Sequence, residues 1–231
     1  MQTTAIVVAA GPGTRLKGGG PKGFVPIAGV PLFIRALRAM DNAATISAIV
    51  AVVPPAEQPK GVQFVGTHGP WRCPVSVVEG GAERQDSVRA GIAAATGTDL
   101  IAIHDAARPF VRTEVTEAVV AMARRHGAAI VAIPASDTVK QVHADGWVEA
   151  TPPRDHLWLA QTPQVFRADI IRTAHERATA DGVIATDDAA LVERMGVRVY
   201  VVAGNPENRK ITTPDDLRWA EWLLSAGSGP R

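Results

Sequence analysis

The chain has 231 residues, 46% of them hydrophobic, and a formal net charge of +1. A chain of this length can bury a core without disulfide or metal staples, and its near-neutral balance announces neither a nucleic-acid nor a membrane partner. The single cysteine, Cys73, excludes an intrachain disulfide and a multi-thiolate metal site and reads as a small buried hydrophobe.

Near-continuous apolar runs at Ala5 to Ala10, Ala48 to Val53, Val75 to Val78, Leu100 to His104, Ala129 to Pro134 and Val197 to Ala203 predict strands covered on both faces. Helical patterns alternate with them, over Leu32 to Met40, Arg84 to Thr96, Thr113 to His126 and Ala168 to Thr179. A last helix is expected over Pro214 to Ser225, with Thr213 as N-cap and Asp215 and Asp216 in its first turn. This alternation predicts an α/β fold with a doubly wound, mostly parallel, Rossmann-like sheet. One segment breaks the rhythm. Thr138 to Val142 and Trp147 to Glu149 alternate at period two around Ala144-Asp145-Gly146, which predicts a β-hairpin. An isolated hairpin is marginal in water, so this one is expected to pack on something else, a second subunit being the obvious choice. The expected organisation is one domain over 1–225, with the β-arm at about 136–154 and a flexible tail over 226–231. The six histidines show no zinc-type spacing, the start lacks the basic region of a signal peptide, and no apolar run reaches the ~18–20 residues of a membrane span. A cytoplasmic protein is expected.

The first strand runs into Ala9-Ala10-Gly11-Pro12-Gly13-Thr14-Arg15-Leu16, and Pro21-Lys22 follows. Glycines let backbone N–H groups approach phosphate oxygens, and a helix N-terminus favours negative charge. A dinucleotide fingerprint is excluded, because Leu16 holds its third glycine position and the second strand ends in Val53-Pro54-Pro55 with no ribose-binding acid. A P-loop is excluded by the missing Gly-Lys-Ser/Thr. What remains is a loop with two cations, Arg15 and Lys22. They are either solvated loop charges or groups that neutralise charge in phosphoryl or nucleotidyl transfer, and the glycines favour the second reading. Asp105, after the apolar run from Leu100, falls at a strand's carboxyl end. A carboxylate there is either a cap or a group that meets a metal-bound phosphate or a substrate hydroxyl.

Ala-Ala-Gly-x-Gly-x-Arg-Leu with Pro-Lys resembles the signature of sugar- and polyol-phosphate nucleotidylyltransferases, whose fold is of the nucleotide-diphospho-sugar transferase type. Gly80-Gly81-Ala82-Glu83-Arg84-Gln85-Asp86-Ser87-Val88 and His104-Asp105-Ala106-Ala107-Arg108-Pro109 narrow it to the cytidylyltransferases. Gln161-Thr162-Pro163-Gln164 and Asn208-Arg209-Lys210-Ile211-Thr212 complete the order. Together they resemble the 2-C-methyl-D-erythritol 4-phosphate cytidylyltransferase family of the non-mevalonate isoprenoid pathway, over nearly the whole chain.

The resemblance implies transfer of CMP from CTP to a polyol phosphate, with Mg²⁺ as cofactor and Asp105 as its candidate ligand. It implies Arg15 and Lys22 as catalytic cations. Ala10, Gly11, Gly13 and Ala106 would lie along the nucleotide, with Gly80, Gly81, Arg84 and Ser87 around cytosine and ribose. The methylerythritol phosphate site would comprise Thr138, Arg154, Thr162 and Lys210, with Asp105 and Arg108 nearby. His104 reads as strand-end packing. The hairpin would reach across a homodimer, so Thr138 and Arg154 would serve the partner's site. A ribitol 5-phosphate cytidylyltransferase and a catalytically silent CTP-binding domain are the rival readings. Two departures from the family stand out: Gly23 where a Gln is common after Pro-Lys, and the run Gly18-Gly19-Gly20. Both lead to the expectation of a loop that is mobile until CTP arrives. Pro153, where the family more often has an acidic or small residue, is a minor departure.

Overall fold

The computed structural model describes residues 1–11 and 20–227. Gly13, Arg15 and the rest of residues 12–19 lie outside the described residues, as do residues 228–231, so the expectations about the loop's mobility and most of the tail fall there.

The chain builds β1 (Thr3–Val8), the short strands β2 (Pro26–Ile27) and β3 (Val30–Pro31), α1 (Leu32–Asp41), β4 (Ala48–Val53), α2 (Gln58–Thr67) and β5 (Val75–Glu79). There follow α3 (Arg84–Ala94), β6 (Leu100–Asp105), α4 (Thr113–His126), β7 (Ala128–Pro134), β8 (Gln141–Val142), β9 (Val148–Ala150) and β10 (Trp158–Arg167). The last elements are α5 (Ala168–Ala180), α6 (Asp188–Arg194), β11 (Tyr200–Ala203) and α7 (Pro214–Ser225). Seven strands form one sheet in the order β11-β7-β10-β6-β1-β4-β5. The fold is thus the expected mixed α/β sheet, parallel except at β10, which runs antiparallel to both β6 and β7.

The apolar runs are continuous because both faces of each strand are covered. Ala5 and Val7 of β1, with Ile49 and Ala51 of β4, pack on the side of α1 and α4. Ile6 and Val8, with Val50 and Val52, pack on the opposite side against Val88 and Ile92 of α3 and Ile171 of α5. Helix α3 can approach this closely because it carries Gly91, where a Cβ would stand 2.4 Å from Ile6 Cγ2. Cys73 is buried, as expected. Among the described residues, no helix is long and apolar enough to cross a membrane.

Besides the two-residue strands β2 and β3, three elements were not legible. Helix α2 contains Pro59 and Gly61, which mask a helical pattern, yet Pro59 stands in the first turn, where no N–H is needed. Helix α6 is only seven residues long. Strand β10 contains Pro163, whose cis peptide with Thr162 lies where its register against β7 shifts, between Ala160 and Gln164. The strand expected over Val197 to Ala203 starts only at Tyr200, where pairing with β7 begins. The first strand ends at Val8, two residues short of the expectation, with the Ala9 N–H on Val52 O as the last bond to β4. The C-terminal helix has the predicted bounds, with Thr213 and Asp216 forming a reciprocal capping box.

The hairpin exists as β8 and β9, antiparallel and turned through Gly146 at φ +89°. Its regular pairing is shorter than the alternation implied. Val142, Trp147 and Val148 are each more than half exposed.

Candidate active site

Parallel strands β6, β1, β4 and β5 end at one edge of the sheet, where Asp105 is the last residue of β6 and Ala9 to Gly11 and Gly80 to Gly81 follow directly from β1 and β5. The chain leaves β1 toward β4 and β5 and later returns to β1's other side as β6. The crevice outside β1 and β6 is therefore the switch point at which α/β sheets bind ligands.

Gly80 is required where it stands. A Cβ there would lie 2.6 Å from Ala10 Cβ and 2.7 Å from Ser87 Oγ, so only glycine lets the first loop, the end of β5 and α3 converge. Gly81 is held likewise: its N–H donates to Ser87 Oγ at 3.1 Å, and a Cβ would meet Asp86 Cβ at 2.4 Å. Ser87 is buried, with its hydroxyl donating to Glu83 O at 3.1 Å. Ala106 is buried at the foot of the crevice, its N–H on Val8 O. Gly23 lies in a single helical turn, Lys22–Phe24, where a Cβ would meet Ala9 Cβ at 2.9 Å. Its missing side chain thus has a packing reason at the foot of the loop.

Asp105 is the focus of the site. Arg84 Nε donates to its Oδ1 at 3.2 Å, and Lys210 Nζ stands 2.7 Å from its Oδ2. Burial alone would raise this carboxyl; Arg84 and Lys210 outweigh it and hold Asp105 well below the ordinary carboxylate range. Burial likewise opposes charge on Arg84, but Asp188 and Asp105 outweigh it and keep the guanidinium more firmly protonated than usual. Among the predicted site residues Asp105 is the only carboxylate, and both its oxygens are engaged. Among the described residues no preformed metal cage stands there, so a divalent cation would have to be held chiefly by phosphates and water.

His104 proves to be a hydrogen-bonding seam as well as packing. Its Nε2 lies 2.9 Å from Arg108 O, which can only accept, so Nε2 carries the proton and Nδ1 accepts from the Thr162 hydroxyl at 3.1 Å. Burial pushes His104 down to about 4, keeping it neutral. Thr162 in turn accepts from the Asp105 N–H at 3.0 Å, so its hydroxyl proton is already spent inside the protein. Arg108 likewise holds the structure together, donating to Asn208 O at 2.8 Å and Ala160 O at 3.3 Å. The arm residues stand apart: Thr138 is exposed, and the exposed Arg154 donates to Ser136 O at 2.7 Å across the two legs of the arm.

The structure thus brings together Ala10, Gly80, Gly81, Ser87, Arg84, Asp105, Ala106, Thr162, Arg108 and Lys210, with Gly11 and Lys22 at the described borders of the loop. It adds residues the sequence reading gave no role. Asn208 Nδ2 donates to Gln161 Oε1 at 3.0 Å and to Thr162 O at 2.8 Å, knitting two motifs together. Gln164 Oε1 accepts from the N–H groups of Asp188 and Ala189. Asp188 itself pairs with Arg84 at 2.8 Å. The acidic pair Asp187-Asp188, placed as a helix start, was the only signal for it.

A sequence profile of the 2-C-methyl-D-erythritol 4-phosphate cytidylyltransferase family matches residues 3–226. The enzyme of that name from Symbiobacterium thermophilum is 46% identical over 222 residues, covering 96% of this chain and 92% of that protein. The crystal structure of the Thermus thermophilus enzyme superposes with a TM-score of 0.78 at 34% identity, covering 97% of this chain and all of that one. The 4-diphosphocytidyl-2C-methyl-D-erythritol synthase of Anaerococcus prevotii reaches a TM-score of 0.85 at 28% identity, covering 97% of this chain and 96% of that one.

Proposed function

We propose how the residues at this edge work, starting from the fact that the chain belongs to the 2-C-methyl-D-erythritol 4-phosphate cytidylyltransferase family and transfers CMP from CTP to 2-C-methyl-D-erythritol 4-phosphate. The acceptor's phosphate oxygen attacks the α-phosphorus of CTP in line, the bond from that phosphorus to the bridging oxygen breaks, and pyrophosphate leaves. An anionic phosphate needs no covalent enzyme nucleophile, so the protein's task is positioning and charge neutralisation.

The observation that carries this reading is Asp105 held between Arg84 and Lys210 at the switch point. Gly80, Gly81, Arg84 and Ser87 take cytosine and ribose, and Ala10, Gly11, Gly13 and Ala106 line the phosphates. Arg15 and Lys22 neutralise the α-phosphate and the leaving group. Lys210, Arg108 and Thr162 meet the acceptor from the same chain. Thr162 has no hydroxyl proton to spare, so it serves as an acceptor or through the position it gives Asp105. Mg²⁺, when bound, supplies charge neutralisation on the triphosphate. Asp105 would reach it only after giving up Lys210, which an arriving phosphate would draw away.

The arm is proposed to cross to a second copy of this chain, so that Thr138 and Arg154 complete the partner's site. Support comes from its exposed Val142, Trp147 and Val148, continued by exposed Trp158 and Leu159 at the start of β10. Localisation is proposed to be cytoplasmic. The test is pyrophosphate release with CTP and Mg²⁺, offering methylerythritol phosphate and ribitol 5-phosphate in turn and replacing CTP by UTP or ATP. Release confined to CTP with methylerythritol phosphate is expected; faster release with ribitol 5-phosphate would overturn the acceptor.

A further inference from the structure

Arg84 is gripped from two sides. In front lies Asp105; behind lies Asp188, on α6, whose side chain is 1% exposed. A carboxylate buried this deeply must have each oxygen satisfied. Asp188 Oδ2 accepts from Arg84 Nη2 at 2.8 Å, and Oδ1 lies 3.1 Å from Nε2 of His175 on the buried face of α5. A carboxylate only accepts, so Nε2 carries a proton, and among the described residues Nδ1 is buried without a hydrogen-bond partner.

Two contacts on the carboxylate's two oxygens fix its rotation, and with it the edge that Arg84 presents to the crevice. The surroundings reinforce this. Gln164 Oε1 pins the backbone of Asp188 and Ala189, while Gln85, beside Arg84, donates to Val183 O at 3.0 Å and accepts from the Ala185 N–H at 3.1 Å. The first turn of α3 is therefore docked on the α5–α6 unit, and His175 is the far end of the chain of contacts leading to Arg84.

We propose that His175 is a positioning residue, acting through Asp188 to hold Arg84 in the geometry that binds the cytidine moiety of CTP. The proposal rests on the assignment of Arg84 to the nucleotide made above. Its test is the dissociation constant for CTP, measured calorimetrically on the full chain with thermal unfolding as a control. His175→Leu is expected to weaken CTP about fivefold, and His175→Gln, whose amide N–H reaches the same oxygen, to restore most of that. Arg84→Ala weakens CTP further, and adding His175→Leu to it costs nothing more, because the relay has lost its end point. A merely structural histidine would add its loss in both backgrounds.

Unchanged CTP affinity in His175→Leu, or a full additional loss in the double variant, overturns the proposal alone. Unchanged affinity in Arg84→Ala overturns the placement of CTP, and the relay with it. Should His175→Leu not fold, His175→Asn replaces it, since its shorter amide cannot reach; equal affinities for the Gln and Asn variants would overturn the relay.

Discussion

On one side of β1 the sheet continues into β4 and β5, and on the other into β6, β10 and β7; the two sides solve their share of the site differently. The β4–β5 side presents backbone. Its loops converge at van der Waals limits around Gly80, and its one charged residue among the predicted site residues, Arg84, is locked between two carboxylates. The β6–β10 side presents side chains borrowed from distant segments, Thr162 from β10 and Lys210 from the stretch before α7, with Thr138 and Arg154 out on the arm. The first design suits a rigid base of fixed shape. The second suits a flexible polyol phosphate, and under the proposal above it is finished only by a partner.

The contrast breaks most visibly at Lys22, which under the proposal above acts in the chemistry and belongs to neither side. Lys22→Ala is expected to lower turnover about 10²–10³-fold, or ~3–4 kcal/mol, with a much smaller change in CTP affinity. Steady-state pyrophosphate release checks it, and near-normal turnover would remove Lys22 from the chemistry. On the β5 side, Gly80→Ala must push Ala10 and Ser87 apart. A stability loss of about 1–3 kcal/mol in denaturant unfolding, with weakened CTP binding, is the expectation. An unchanged midpoint would show that the convergence is loose.

The seam inside the β6–β10 side can be read through pH. The His104 value is lowered from 6.5 to about 4, so between those values the unfolded chain binds a proton that the folded chain refuses. Stability is complete above the unfolded value and falls as pH drops toward the folded one, by about 2 kcal/mol from about pH 7 to about pH 5. His104→Gln should flatten that slope in unfolding curves, and an equal slope in both proteins would contradict the buried neutral ring. The smallest effect is expected on the acceptor side. Arg154→Ala should raise the Michaelis constant for the polyol phosphate about tenfold and leave that for CTP unchanged, as loss of one exposed phosphate contact would.

The same division decided what could be read from the sequence. Strands β1, β4 and β6 announce themselves because both faces are buried, and the glycines of the nucleotide side are fixed by local crowding that a motif records. Strand β10 hides behind Pro163 and two glutamines, because its role depends on partners brought in by the fold. His104 looked like packing because its two hydrogen bonds join it to Arg108 O and to Thr162, 58 residues away. Asp188 was hard to read for the same reason: its contact with Arg84 spans 104 residues of chain, and His175 meets that contact only through Asp188.

Under the proposed dimer, one site draws its nucleotide-side groups from one chain and its arm residues from another. Co-expression of Lys22→Ala and Arg154→Ala chains in equal amounts, assayed at low polyol phosphate, tests it most directly. If Arg154 acts across the dimer, half the sites of each mixed dimer carry no substitution, and activity should reach about a quarter of wild type. If it acts within its own chain, no intact site forms, and activity should stay near the average of the two parents, about a twentieth of wild type, which would contradict the account.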